Sequence, residues 1–149
     1  MDSTITLPSE ADKRADIVRE AETWRRTPFV NNAMIKGAGV GCGTLLIGVY
    51  GALGYPVPDI KKLGYFPLGW SQHTKEEKYL NILLDNGMHE VAEPMAGDVV
   101  LFKMGQAFGH SGIIIAWPRI IHAYWNRGVV FDDARNPPLG QKMKFLSFF

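Results

Sequence analysis

The chain reads as one α+β domain whose helices pack on an antiparallel sheet. Apolar residues recur at helical spacing up to Asn86-Gly87, and short β-branched or aromatic runs with turn residues between them follow. Helices gathered ahead of the strands favour an α+β layering over a parallel α/β one. The 149 residues are room for one domain. A chain of this size buries about 70% of its extended surface, so it needs no cross-link. Residues 1–149 are therefore taken as one domain, with residues 1–8 as a flexible lead.

Residues 9–26 form the first expected helix. Ser9 can cap it, Glu10 and Asp12 load its first turn, and Arg25 and Arg26 close it before Thr27-Pro28. Ile17, Ala21 and Trp24 give it one apolar stripe. Residues 36–41 are too rich in glycine for an element. A second helix runs from Cys42 to about Leu53, with Leu45, Leu46, Val49 and Tyr50 on the stripe of Cys42 and Gly54 as the stop. Residues 55–73 lack periodicity but carry Tyr55, Tyr65, Phe66 and Trp70 between prolines and glycines. A connection of that length and composition suits a wall or lid over a cleft. Thr74 opens a third helix, with Glu77 completing a capping box and Leu80, Leu83 and Leu84 on one face. Strands are expected at 98–102, 110–116, 120–124 and 128–131. At the C-terminus, Lys144, Leu146 and Phe148 alternate with Phe145, Ser147 and Phe149 as in an edge strand, which either packs on the domain or is extended by a partner chain.

Composition narrows the function. Lys+Arg 16 against Asp+Glu 15 gives a net charge of +1, too little for a nucleic-acid-binding field. No apolar run approaches a membrane span, so no membrane insertion is expected, and residues 1–20 lack the apolar segment of an export signal. The expected place of synthesis is a cytoplasm. A lone cysteine excludes an internal disulfide, and four dispersed histidines argue against a metal site. No cofactor is implied.

Cys42 is the candidate nucleophile. Glycines at 37, 39, 41 and 43 let backbone approach it from both sides. A helix start offers free amides that lower a thiol's pKa and can receive an oxyanion. The competing reading is a small buried hydrophobe. A thiolate needs a base and an orienting group. His110 and His122 are 12 residues apart on adjacent expected strands, so they share a face whether the hairpin turns at Ala116 or at Pro118. Alone, each would be an ordinary sheet residue. His89 reads as a surface residue, and His73 as a cap or packing residue beside the aromatic segment. Asp132-Asp133 project in different directions and do not form an acid/base pair.

Three segments in order resemble the NlpC/P60 cysteine peptidases. They are Gly39-Val40-Gly41-Cys42-Gly43-Thr44-Leu45-Leu46, Gly97-Asp98-Val99-Val100-Leu101-Phe102 followed by Gly109-His110-Ser111-Gly112-Ile113, and Ile121-His122-Ala123. Thr27-Pro28-Phe29, Lys36-Gly37, Tyr65, Trp70, His73, Glu77, Tyr79 and Leu80 are similar to the branch associated with bacteriophage tails. The resemblance implies a papain-like fold and cleavage of peptidoglycan stem peptides, commonly between D-glutamate and a diamino acid. It assigns Cys42 as nucleophile, His110 as base and His122 as the residue orienting it. It also implies a phage-tail component that meets tail-tip or hub proteins and acts at the bacterial wall. The other readings are a non-enzymatic tail protein and an amidase or acyltransferase on the same fold. Candidate substrate contacts are Phe29, Gly41, Gly43, Tyr65, Trp70, His73 and Ser111. Many members carry Asp before the nucleophile, Ser after it and Tyr after the early Pro; here Gly41, Gly43 and Phe29 stand there.

Overall fold

The computed structural model describes residues 6–149; of the expected flexible lead at 1–8, residues 1–5 lie outside the described part. Helix α1 spans Glu10–Glu22 and starts on the Ser9 cap, whose side chain accepts the Asp12 N–H while Asp12 accepts the Ser9 N–H. Two short strands, β1 (Met34–Ile35) and β2 (Gly39–Val40), form a ribbon that delivers the chain to helix α2 (Cys42–Ala52). The 55–73 segment carries one turn of helix, α3 (Ile60–Leu63), and a 3-10 turn at Trp70–Gln72. Helix α4 spans Lys78–Asp85, starting later than the sequence predicts. Thr74 spends its hydroxyl on the Glu76 N–H, and Glu77, although it is the N-cap residue, sends its carboxylate to the Phe108 N–H, so neither side chain caps α4.

Six strands make the main sheet: β3 (His89–Val91), β4 (Val99–Met104), β5 (Ala107–Ala116), β6 (Arg119–Tyr124), β7 (Gly128–Asp133) and β8 (Met143–Ser147). Their order is β3-β8-β4-β5-β6-β7, and every pairing is antiparallel. The C-terminal strand is therefore not an edge. β8 lies between β3 and β4, because three residues of β3 pair with it and cover its outer side. The final aromatics pack on the domain itself: Phe148 stacks on Tyr55 at 5.0 Å between ring centres and meets Tyr50 edge-on at 5.1 Å.

Alternation along the strands splits the core in two. Val99, Leu101, Ile113, Ile121 and Leu146 join Ile17, Leu45, Val49 and Tyr50 of the helices. Val100, Phe102, Ile114 and Ile120 meet Ala134 and Leu139 on the opposite face. α1 is fastened to the sheet by a buried ion pair, Arg14 Nη1 to Asp98 Oδ1 at 2.7 Å, and Tyr50 Oη donates to the Gly97 carbonyl at 2.6 Å. The Gly97-Asp98 step thus locks helices to sheet and takes no part in the site. No described helix is long and apolar enough to cross a membrane.

Candidate active site

Cys42 is the first residue of α2, whose cap is Gly41. Thr44 holds that turn: its hydroxyl accepts the Gly41 N–H at 2.8 Å and donates to the Ala33 carbonyl at 2.5 Å. Below the thiol, Ser111 Oγ donates to the Cys42 carbonyl at 3.2 Å and lies 2.6 Å from Tyr79 Oη. Tyr79 and Ser111 are buried. A Tyr79–Ser111 pair thus pins the start of α2 to β5.

The hairpin joining β5 and β6 turns about Trp117, since Ile113 pairs with Ile121 and Ile114 with Ile120. That centre lies between the two that the sequence allows. Continuing the register puts His122 across from Gly112, one diagonal step from His110. A side chain at 112 would come within 2.9 Å of Ile120 and 3.4 Å of the His122 Cβ, so glycine makes the room. The rings meet: His110 Nε2 is 2.8 Å from His122 Nδ1. Phe102 stacks on His110, and Tyr124 stands edge-on to it.

The relay continues to a residue that the sequence reading passed over. His122 Nε2 lies 3.1 Å from Asp132 Oδ2, and Asp132 also binds Arg127 and Asn136. The two adjacent aspartates do diverge, Asp133 turning to Arg135 and Asp132 inward to His122. No family motif marks Asp132; only its parity with the histidine face on a neighbouring strand could have found it. Burial alone would raise its pKa, but the Asp133 N–H, Asn136, His122 and Arg127 bring it below the ordinary carboxylate value. Asp132 is thus an acceptor only, and His122 must donate Nε2–H to it. That leaves His122 Nδ1 to accept Nε2–H from His110. Through this chain Asp132 fixes both tautomers and frees the lone pair of His110 Nδ1.

The resting charges differ from the expected thiolate. Burial pushes the Cys42 thiol up to about 11, outweighing the backbone N–H groups and the Tyr79 hydroxyl that would lower it. Burial, reinforced by His122, lowers His110 to about 3; burial lowers His122 to about 4 against the pull of Asp132. Thiol and imidazoles are all neutral at pH 7. Cys42 Sγ lies 3.9 Å from the Gly109 carbonyl, and no hydrogen bond joins it to the His110 ring.

Cys42 and His110 open into one cavity of about 240 Å³, which Phe29, Gly41, Gly43 and Trp70 also line. The 55–73 segment walls it with Pro56, Val57, Phe66 and Leu68, as its aromatics suggest. Three expected contacts do not line it. Tyr65 stands 73% exposed, because its neighbour Phe66 takes the inward place and bonds Asn32 through its N–H. His73 is exposed and ends the 3-10 turn. Ser111 lies beneath the thiol rather than beside a ligand. Among the described residues, no group of three or more His, Cys, Asp or Glu is placed to hold a metal.

Neither a family model nor a curated protein matches this chain. Solved structures do. The NlpC/p60 domain of the peptidoglycan hydrolase SagA superposes with a TM-score of 0.59 and 18% identity over 88% of this chain and 96% of its own. An NlpC/P60 family protein from Bacillus cereus ATCC 10987 gives 0.64 and 18%, with 97% of this chain covering 41% of that longer one. RipD from Mycobacterium tuberculosis, described as a non-catalytic NlpC/p60 domain protein adapted to peptidoglycan binding, gives 0.60 and 11%, covering 91% of this chain and 97% of its own. At these identities the likeness speaks for architecture, and the chain has the papain-like α+β fold of NlpC/P60 proteins.

Proposed function

We propose that the protein is a cysteine peptidase that hydrolyses peptidoglycan stem peptides, with the bond between D-glutamate and a diamino acid as the expected target. The observation that carries this reading is the hydrogen-bonded His110–His122–Asp132 relay, whose pairing leaves His110 Nδ1 to act as acceptor, with His110 and Cys42 lining one cavity. In this reading His110 Nδ1 takes the S–H proton as Sγ attacks the carbonyl carbon. The backbone N–H groups of Cys42 and Gly43 receive the oxyanion. His110 returns the proton to the departing amine, leaving a thioester on Sγ. A water then attacks, gives its proton to His110 and releases the acid, and the thiol is restored. His122 orients His110, and Asp132 balances the imidazolium formed in transit. Because both partners rest neutral, the proton moves during attack rather than before it.

The similarity of Thr27-Pro28-Phe29 and of the Tyr65 to Leu80 region to tail-associated proteins supports a second part of the proposal. The protein serves as a phage tail component, made in the host cytoplasm, meeting tail-tip or hub proteins and acting at the wall. Mass spectrometry of purified virions tests this, and its absence from them would refute it.

A peptidoglycan-binding role without cleavage is the second reading. It is favoured by the missing Cys42–His110 hydrogen bond and the raised thiol, and by RipD as a non-catalytic protein of this fold. Incubation with purified sacculi separates the two. A peptidase releases new amino termini and Cys42→Ala releases none; a binding protein is retained by sacculi with no fragments from either form.

A further inference from the structure

The cavity beside Cys42 is built without charge. Charged residues make up 21% of the chain, yet no Asp, Glu, Lys or Arg lines it. His110 adds no cation, because its buried imidazole is neutral. Arg127 is held by Asp132. The amides of Cys42 and Gly43 at the start of α2 are directed at the thiol.

The polar side chains of the wall are uncharged hydroxyls and carboxamides, and two of the carboxamides are fixed in orientation. Asn31 and Asn32 each donate Nδ2–H to the Phe66 carbonyl at 2.9 Å, and Asn32 Oδ1 accepts the Phe66 N–H at 3.2 Å. A carbonyl takes only donors, so Phe66 fixes which way both amides point. Asn32 is thereby satisfied at both ends. Asn31 Oδ1 has no partner among the described residues and remains an acceptor on the wall.

We infer, resting on the peptidase reading above, that the stem peptide taken beside Cys42 is uncharged where it flanks the attacked carbonyl, its free carboxyl carried as a carboxamide. A carboxylate entering this cavity loses its water and gains no cation. It also sets its lone pairs against Asn31 Oδ1. A carboxamide in the same place donates an N–H to that oxygen and keeps the site neutral. Gly41 fits the same logic: a Cβ there would meet nothing closer than 3.5 Å, so packing does not demand glycine, and the position next to the thiol carries no charge.

Two synthetic stem peptides that differ only in D-isoglutamine against D-glutamate test this. Calorimetry on the full-length Cys42→Ala protein reads binding, and the unaltered enzyme reads hydrolysis. The expected result is binding of the carboxamide peptide at least about tenfold tighter, with kcat/KM following. Leu68 lines the cavity and is 56% exposed, so Leu68→Lys places a cation at its rim and should erase or invert the ratio. Equal affinity, tighter carboxylate binding or no binding of either peptide overturns the inference. So does a ratio that Leu68→Lys leaves unchanged. Preferential carboxamide binding without hydrolysis by the unaltered enzyme would instead sink the peptidase reading and leave the selectivity standing.

Discussion

His110 can act as a base only while its Nε2 carries the proton, and that condition is imposed two residues away. Asp132 tests it, because an amide there can donate to His122 Nε2, push the His122 proton to Nδ1 and leave His110 protonated at Nδ1. Asp132→Asn should therefore lower kcat by about 10³–10⁴, and by more than Asp132→Ala, which imposes no tautomer. Equal losses in the two variants would mean that Asp132 acts by charge alone. The neutral resting pair gives a second expectation. Alkylation of Cys42 by iodoacetamide should be slow at pH 7 and climb toward about pH 11, while the acid limb of kcat/KM should fall near pH 3–4 rather than 6–7. A thiol that alkylates fastest below pH 8 contradicts this. At this scale the sequence was legible where chemistry leaves a spacing: a cysteine among glycines, and two histidines of equal parity. It misled on the thiol, because a helix start is visible in sequence and the desolvation around it is not. Asp132 stayed hidden because its role comes from a register on β7, and the expected strand stopped at Phe131.

Between elements, the departure at Gly43 has a packing cause. A Cβ at 43 would stand 2.6 Å from the Tyr79 ring and 3.0 Å from its hydroxyl. The aromatic of α4 thus fills the space a side chain at 43 would need, and it brings the hydroxyl that holds Ser111 and, through it, the Cys42 carbonyl. Gly43→Ser should then lose stability by roughly 1–3 kcal/mol, the usual cost of overpacking, and should lower activity although it matches the serine of the motif the sequence resembles. Gly41→Ala, with no Cβ contact under 3.5 Å, should fold normally. A melting temperature for Gly43→Ser equal to that of the parent protein would refute this account. Periodicity found α1, α2 and the four strands from β4 to β7, since each has a full apolar stripe of its own. It missed β1, β2 and β3, which are two or three residues long, and it set β8 at an edge. Alternation shows that a strand exists; its neighbours are decided by pairing distant in sequence.

Over the whole molecule, the buried relay ties stability to pH. His110 and His122 are neutral in the fold and titrate near 6.5 when the chain is unfolded. Between pH 6.5 and about 4 the unfolded chain binds protons that the native protein refuses, so stability falls as pH drops through this window. Asp132 acts in the same direction at lower pH, since its lowered value adds stability above the unfolded carboxylate range that is lost on acidification. At pH 5, about 1.5 units below the unfolded histidine value, each buried ring removes roughly 2 kcal/mol relative to neutral pH. For a domain of this size the two together should lower the melting temperature by about 8–16 °C between pH 7.5 and 5. His73→Gln and His89→Gln change exposed rings and should leave that dependence as it is. His122→Asn lowers the starting stability, so its informative readout is the slope, which should flatten while the melting temperature itself drops. A parent protein whose melting temperature is constant from pH 7.5 to 5 would show that the histidines charge without cost, and the relay would then lie open to water rather than sealed between Phe102 and Tyr124.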